Sequence, residues 1–167
     1  LDPCTGGPDS LSDQPHGRRR SRHDGFQYAG IKNSTITSLG DNVGGIRGYS
    51  NYMHDYCYVY NTKVTGRNNV GGILGYHAGS AVYVRRCMSD ADVLATGDQA
   101  GGLVGKLNNL NTDVNDNRIY IYDNILAGSK IESRGDNAGA ISGSTQKYPF
   151  QAHFYTNYLH AYVKNDT

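Results

Sequence analysis

Residues 66–76 read GRNNVGGILGY, and four of these eleven residues are glycine. A single glycine-rich segment is compatible with a turn, a linker or a phosphate-binding loop. This pattern, however, occurs three more times along the chain, as GDNVGGIRGY at 40–49, GDQAGGLVGKL at 97–107 and GDNAGAISGS at 135–144. The chain is therefore built from internal repeats.

The segments between the glycine motifs show the alternation of β-strands. Ile119 and Ile121 flank Tyr120, and the residues around Tyr83 alternate in the same way. A period of two predicts strands with one buried face, so the aliphatic side chains should point inward and the tyrosines outward. The first glycines of the motifs lie 27, 30 and 38 residues apart, at Gly44, Gly71, Gly101 and Gly139. Uneven spacing predicts loops of different length between similar units.

We therefore predict an all-β fold, a right-handed parallel β-helix or β-solenoid of about four coils with irregular loops. Stacked coils lie about 4.8 Å apart, so a side chain at the glycine pair would collide with the next coil. Glycine also permits a turn with positive φ. The repeat glycines assigned this structural role are Gly44, Gly45, Gly48, Gly71, Gly72, Gly75, Gly101, Gly102, Gly105, Gly139 and Gly143. The residues after each pair should form an aliphatic ladder: Ile46, Ile73, Leu103 and Ile141.

Two regions differ in composition. Residues 1–25 are rich in Pro, Gly, Ser, Asp and Arg and predict a polar, basic N-terminal tail, whose run RRRSRH at 18–23 is either solvated or able to dock on a polyanion. Residues 26–167 form the predicted solenoid domain, which ends in a half-repeat because no glycine motif follows the strand-like residues before Asp166. We expect loops at 49–55, 76–81, 106–118 and 144–152 to carry contacts.

Composition and charge exclude several classes of function. The formal net charge of +1 gives no indication of nucleic-acid binding, and no apolar run approaches the eighteen residues that a membrane-spanning helix needs. We therefore expect neither a nucleic-acid partner nor membrane insertion.

The chain has three cysteines and no CxxC pair, so the sequence indicates neither a zinc site nor a dense disulfide framework. Cys57 precedes Gly66 by nine residues, whereas Cys87 precedes Gly97 by ten. A one-residue offset predicts that the two side chains lie on opposite faces. This favours two small buried hydrophobic residues over a disulfide, which remains the alternative.

The segments GGIRG at 44–48, GGILG at 71–75 and GGLVG at 101–105 resemble the GLUG repeat, and GAISG at 139–143 is a weaker copy. The resemblance covers residues 26–165. It implies a β-solenoid of the kind found in secreted bacterial adhesins and in the non-catalytic part of immunoglobulin-A-protease-type surface proteins. It therefore implies a secreted or cell-surface location and a role in adhesion or as a spacer. The zinc site of those peptidases cannot be transferred, because the chain has no HExxH.

Other catalytic motifs are also missing from the sequence. There is no GxSxG and no P-loop, and the six histidines show no metal-binding spacing. We expect no catalytic residues, no metal centre and no cofactor, although the repeated turn acids Asp41, Asp98 and Asp136 could serve either a structural calcium ion or Asx-turns. An alternative is a fragment of a carbohydrate-active β-helix enzyme that uses acids among Asp90, Asp92, Asp113, Asp116 and Asp123. The RGD sequence at 134–136 coincides with a predicted corner of the repeat.

Tyrosine is the most suggestive residue type, with fourteen in the chain. Outward tyrosines offer flat apolar area with a polar tip, which suits glycan or protein surfaces, and cross-strand stacking that stiffens a sheet is the alternative. We expect Tyr56, Tyr58 and Tyr60 to share a face, and the candidate ligand contacts are Tyr56, Tyr58, Tyr60, Tyr83, Tyr120 and Tyr122. The partner would be a host or cell-surface glycan or protein. A second hypothesis is a self-assembling extracellular filament that uses open solenoid ends and the N-terminal tail.

Overall fold

A computed structural model describes residues 26–79, 81–108, 118–145 and 151–166, and every regular element in these ranges is a β-strand. The first coil contains β1 (Phe26–Gln27), β2 (Gly30–Thr37), β3 (Val43–Gly44) and β4 (Arg47–Ser50). The second contains β5 (His54–Asp55), β6 (Tyr58–Gly66), β7 (Val70–Gly71) and β8 (Leu74–Ala78). The third contains β9 (Ala81–Arg85), β10 (Met88–Ser89), β11 (Asp92–Ala95), β12 (Ala100–Gly101) and β13 (Val104–Asn108). The fourth contains β14 (Arg118–Tyr122), β15 (Ile125–Ser133), β16 (Ala138–Gly139) and β17 (Ser142–Thr145), and a half-coil contains β18 (Gln151–Tyr155) and β19 (Tyr158–Asn165).

Equivalent strands of successive coils pair in parallel and form four sheets. Sheet A contains β1, β5, β9, β14 and β18; sheet B contains β2, β6, β10 with β11, β15 and β19; sheet C contains β3, β7, β12 and β16; and sheet D contains β4, β8, β13 and β17. Parallel pairing of each coil with the next defines a β-solenoid of about four turns, which confirms the predicted fold class. In the part of the chain that the structure describes, no helix is long and apolar enough to cross a membrane.

The core is a set of aliphatic ladders between the sheets. Ile73 and Leu103 are fully buried, and Ile46 and Ile141 at the two ends of that ladder are half-buried against the same core. The backbone N–H of Ile46 donates to Ile73, and that of Ile73 donates to Leu103. The predicted ladder after the glycine pairs is therefore confirmed. Its side chains become fully buried only where a coil is stacked on both sides.

The three glycines of each motif meet different neighbours. A methyl group at the first, such as Gly71, would overlap the carbonyl oxygen of Leu74 in its own coil, whereas one at Gly72 would overlap the carbonyl oxygen of Gly102 in the next coil. A methyl group at Gly75 would overlap the backbone at Val43. A methyl group at Gly71 would also lie 2.6 Å from the backbone nitrogen of Gly105 in the next coil, so the predicted collision between coils applies to both glycines of the pair.

The prediction that these glycines hold positive φ is wrong. Positive φ falls instead two residues before each pair, at Asn42, Asn69, Gln99 and Asn137, with φ of 60°, 54°, 70° and 68°. Asparagine tolerates this conformation better than most residues because its short polar side chain bonds locally. In each motif, a residue with an amide side chain therefore adopts the left-handed conformation at the corner, and the glycines lie where backbone segments approach each other closely.

The predicted separation of the two cysteines is also wrong. Met88 pairs with Tyr58, so Cys87 lies directly beside Cys57 in the ladder, and both are buried thiols that form no disulfide. The register then changes by one residue, because Ser89 pairs with Val59 but Asp92 pairs with Lys63. Gly66 pairs with Ala95 and not with Gly97. Gly66 and Gly97 are therefore not equivalent positions, and counting back from them gives the wrong register for the cysteines. A hydrogen bond between the two thiols lowers the pKa of Cys57 and raises that of Cys87.

The predicted loops are shorter than the sequence suggested, since β8 continues to Ala78 and β13 to Asn108. The N-terminal tail, residues 1–25, and most of the predicted loops at 106–118 and 144–152 lie outside the described residues.

Candidate ligand-contact surfaces

The outer face of sheet A carries two aromatic columns. Tyr83 stacks on Tyr120 with ring centroids 5.0 Å apart, and Tyr120 stacks on His153 at 4.8 Å. Beside them, Tyr122 stacks on Tyr155 at 4.8 Å. The ring planes are within 11° of parallel, so both faces of Tyr120 and one face each of Tyr83 and Tyr122 are covered by a neighbouring ring. For Tyr83, Tyr120 and Tyr122 this favours cross-strand stiffening over ligand contact.

An ion-pair network continues the second column toward the N-terminal end. Arg85 donates to Asp55 through Nε at 2.9 Å and to the Tyr122 hydroxyl through Nη1 at 2.9 Å. The Asp55 carboxylate is almost completely buried, and Arg86 approaches it at 3.5 Å. A buried carboxylate that is held by two guanidinium groups fixes the corner between sheets A and B.

Tyr56 does not share a face with Tyr58 and Tyr60, so this part of the prediction is wrong. It lies at the corner with φ of 54°, between β5 and β6. Its ring stacks on Tyr28 at 5.1 Å, and the Arg86 guanidinium lies 5.1 Å from its centroid. Tyr56 therefore belongs to the corner network.

Tyr58 and Tyr60 are exposed on the outer face of sheet B. The Tyr58 ring lies over Gly30, where a methyl group would overlap it, so one ring face rests on the sheet and the other is directed outward. Tyr60 lies beside Lys32 in the register. Among the described residues, neither ring takes part in an aromatic stack. Of the six predicted contact tyrosines, these two are the ones without an aromatic stack among the described residues.

A groove follows the solenoid axis beside these tyrosines. Sheet B bends where Asn33, Asn61 and Gly128 have φ of 51°, 44° and 76°. At the bend, one depression of about 460 Å³ crosses the first three coils, a second of about 540 Å³ crosses the fourth coil and the half-coil, and a third of about 140 Å³ joins them. The depressions share Lys63, Asp92 and Lys130 as lining residues. Five stacked strands make this surface about 20 Å long.

The groove has a charged row on one side. Lys63 pairs with Asp92 in the ladder, the backbone N–H of Lys130 donates to the Asp92 carboxylate at 3.3 Å, and Tyr162 follows Lys130. The Lys130 ammonium also contacts Glu132 at 2.9 Å, and this hydrogen bond raises the pKa of Lys130. The row therefore offers donors and acceptors alternately along the axis. The sequence does not reveal this row, because its residues lie in strands whose register cannot be read from the spacing of the glycine motifs.

The repeated turn acids form a hydrogen-bonded ladder. Asn68 accepts the backbone N–H of Asp98 at 2.8 Å, and Asp98 accepts that of Asp136 at 2.9 Å. Arg67 binds Asp41 at 2.8 Å and lowers the pKa of that carboxyl. These contacts join each turn to the turn of the next coil. No group of three or more potential metal ligands occurs among the described residues. The RGD sequence lies at this same corner.

Of the candidate catalytic acids that the structure describes, Asp90 and Asp92 line the same depression of the groove, whereas Asp123 lines none of the three. Asp90 lies between β10 and β11 and accepts the backbone N–H of Asn61. Asp92 is exposed on β11, and Asp123 is at a sheet A–B corner, where the Thr156 hydroxyl donates to it. Asp113 and Asp116 lie outside the described residues.

Two completely buried histidines were missed. His54 and His77 lie where sheets D and A meet in the second coil. Burial lowers the pKa of each imidazole from 6.5 to about 4. The positive charge of Arg47 lowers the pKa of His54 further, and the charge of His54 lowers the pKa of His77 further. Alignment of the second and third motifs could have found His77, since it occupies the position of the core residue Leu107.

The fold and this surface together define a parallel β-solenoid with an axial groove. Comparison with family models, with characterised proteins and with solved structures yields no match. The resemblance to the GLUG repeat therefore stays a prediction from the motifs.

Proposed function

We propose that the chain is a non-catalytic β-solenoid module of a secreted or cell-surface protein, and that it binds an extended glycan along the outer face of sheet B. The observation that carries this proposal is the continuous groove, with lining residues shared between its three depressions. A linear polymer matches a surface that is long in one direction and repeats with the coil spacing.

The chemistry of the groove also suits a glycan. Tyr58 and Tyr60 do not line the depressions, but they are exposed on the same strand as the lining residue Lys63 and supply flat apolar area for the faces of sugar rings. Lys63, Asp92 and Lys130 supply hydrogen-bond donors and acceptors for hydroxyl groups. Rigid strands hold these groups, so little conformational entropy is lost on binding.

The test is a glycan array followed by calorimetric titration of the best ligand. Tyr60→Ala and Lys63→Ala should each weaken binding by about tenfold, the effect of losing roughly 1.4 kcal/mol. Tyr49→Ala is the matched control, because Tyr49 on sheet D is 50% exposed and Tyr60 is 49% exposed. Tyr49→Ala should leave the affinity unchanged.

Two results would refute the proposal. Equal loss in Tyr60→Ala and Tyr49→Ala would place the ligand elsewhere or indicate a general effect on folding. Release of reducing sugar ends that is abolished by Asp92→Asn would replace a binding module with a carbohydrate-active enzyme.

A further inference from the structure

We propose that two copies of this chain pair through the free edge of β19, antiparallel and about a two-fold axis at Ala161, as a closed dimer. This inference does not rest on glycan binding, because it is argued from the edge strand β19 alone, although His160, Ala161 and Tyr162 of that strand also line the second depression of the groove.

The C-terminal end exposes side chains that the register assigns to the core. Leu159 and Val163 pair with Leu126 and Ile131, which are 0% exposed, yet they are themselves 42% and 40% exposed. Phe154 is likewise exposed, although it pairs with the buried Ile121. Within the described residues, β19 pairs only with β15, and no described strand covers its other edge. A long edge strand with an apolar inner row is a site for pairing with another chain.

The opposite end of the solenoid differs in shape. Its edge strand β2 is interrupted by Asn33 with φ of 51°, whereas no residue of β19 has positive φ. The inner side chains of β2, Ile31 and Ile36, are half-buried. A bent edge with a neighbouring exposed lysine, Lys32, resists strand addition. Because only one end is straight and apolar, copies should meet through the same end, which gives a closed dimer and not a filament.

The backbone of β19 selects one register. The N–H groups of Tyr158 and Asp166 donate to the fourth coil, so the amides of the odd-numbered residues point to the open edge. The odd-numbered residues are also the inward-facing ones: Leu159, Ala161 and Val163. An antiparallel pair that places Ala161 opposite itself therefore brings Leu159 opposite Val163.

This register satisfies both requirements of an antiparallel pair. The opposed odd-numbered residues can exchange both backbone hydrogen bonds, and apolar side chains meet apolar side chains. On the outer face, Tyr158 lies opposite Lys164 and His160 opposite Tyr162, so no like charges face each other. A one-residue shift would place Leu159 opposite Lys164 and would lose this match.

The experiment is sedimentation of the full 167-residue chain over a concentration series. The expected result is a monomer–dimer equilibrium that does not proceed to larger species. Ala161→Pro should abolish the dimer, because proline removes a donor that points to the open edge and is tolerated at such edge positions. Thr35→Pro is the matched control, since the Thr35 amide points to the open edge of β2, and it should still form dimers.

Amide hydrogen exchange of the unmodified chain gives a second measurement that does not depend on the folding of a variant. Exchange at Leu159, Ala161 and Val163 should slow as concentration rises, whereas exchange at Thr35 should not. A chain that stays monomeric, an open-ended series of oligomers, or dimers of Ala161→Pro that retain the native circular dichroism spectrum would each overturn the proposal.

Discussion

Acid should destabilise this fold through His54 and His77 before most carboxylates titrate. Both imidazoles are completely buried, and burial holds the pKa of each at about 4, against 6.5 in an exposed chain. The unfolded chain therefore binds protons at a higher pH than the folded chain. The full stability is present above pH 6.5, and it is lost progressively as the pH falls toward 4.

The size of the effect follows from the two pKa values. At pH 5 an unfolded histidine is almost fully protonated while a buried one is mostly neutral, which costs the folded state about 2 kcal/mol for each residue. Together the two histidines remove about 4 kcal/mol. A domain of this size has a total stability of roughly 5–15 kcal/mol, so the loss should be large.

The measurement is urea denaturation at pH 7.5 and pH 5. The neighbouring coil supplies well-matched substitutions, because His77 pairs with the buried Leu107 and His54 with the buried Val84. His77→Leu and His54→Val should each reduce the difference in unfolding free energy between the two pH values by about 2 kcal/mol. His160→Gln, at an exposed position, should leave it unchanged.

A double variant that keeps the pH dependence of the unmodified protein would refute this reasoning. It would show that other groups bind the protons, or that the two imidazoles are accessible to water in the folded state.

Two further predictions concern the glycine motif and the buried ion pair. Gly72→Ala should destabilise the fold by about 3 kcal/mol or more in urea denaturation, because its methyl group would overlap backbone of the next coil. Gly40→Ala should change stability far less, since its nearest contact would be 3.5 Å away; equal effects would contradict the steric argument. Arg85→Ala should cost about 3 kcal/mol by leaving the Asp55 carboxylate buried and poorly paired, whereas Arg67→Ala, at an exposed pair, should cost far less. Similar thermal shifts for the two arginine variants would show that Asp55 is solvated.

The sequence predicted the coil because two periodicities agree. Alternation in the strands identifies the buried face, and repetition of the glycine motif identifies stacking. Both depend on contacts between equivalent positions, so they can be recognised without knowledge of distant neighbours. The ladder through Ile73 and Leu103 follows from the same repetition.

Position within a strand was harder to predict. Relative to the second coil, the third coil is one residue shorter near Asp90 and one residue longer near Gly97. The glycine motifs therefore stay in register, whereas the strand β11 between these two points is shifted by one residue. Counting back from the glycine therefore misplaced Cys87. For the tyrosines, alternation predicts that Tyr120 points outward, but only the structure shows that its ring faces are covered by Tyr83 and His153.

Parallel stacking of the coils also determines how the molecule should respond to mechanical force. The hydrogen bonds between coils run along the solenoid axis, and few covalent connections do. Tension along the axis would act on all the coil interfaces in series, and the weakest interface should open first. Extension should therefore proceed in steps, each releasing the contour length of a single coil. Force across the axis would instead load strands in shear over a whole sheet. The solenoid should therefore be compliant when pulled end to end and stiff when pulled from side to side.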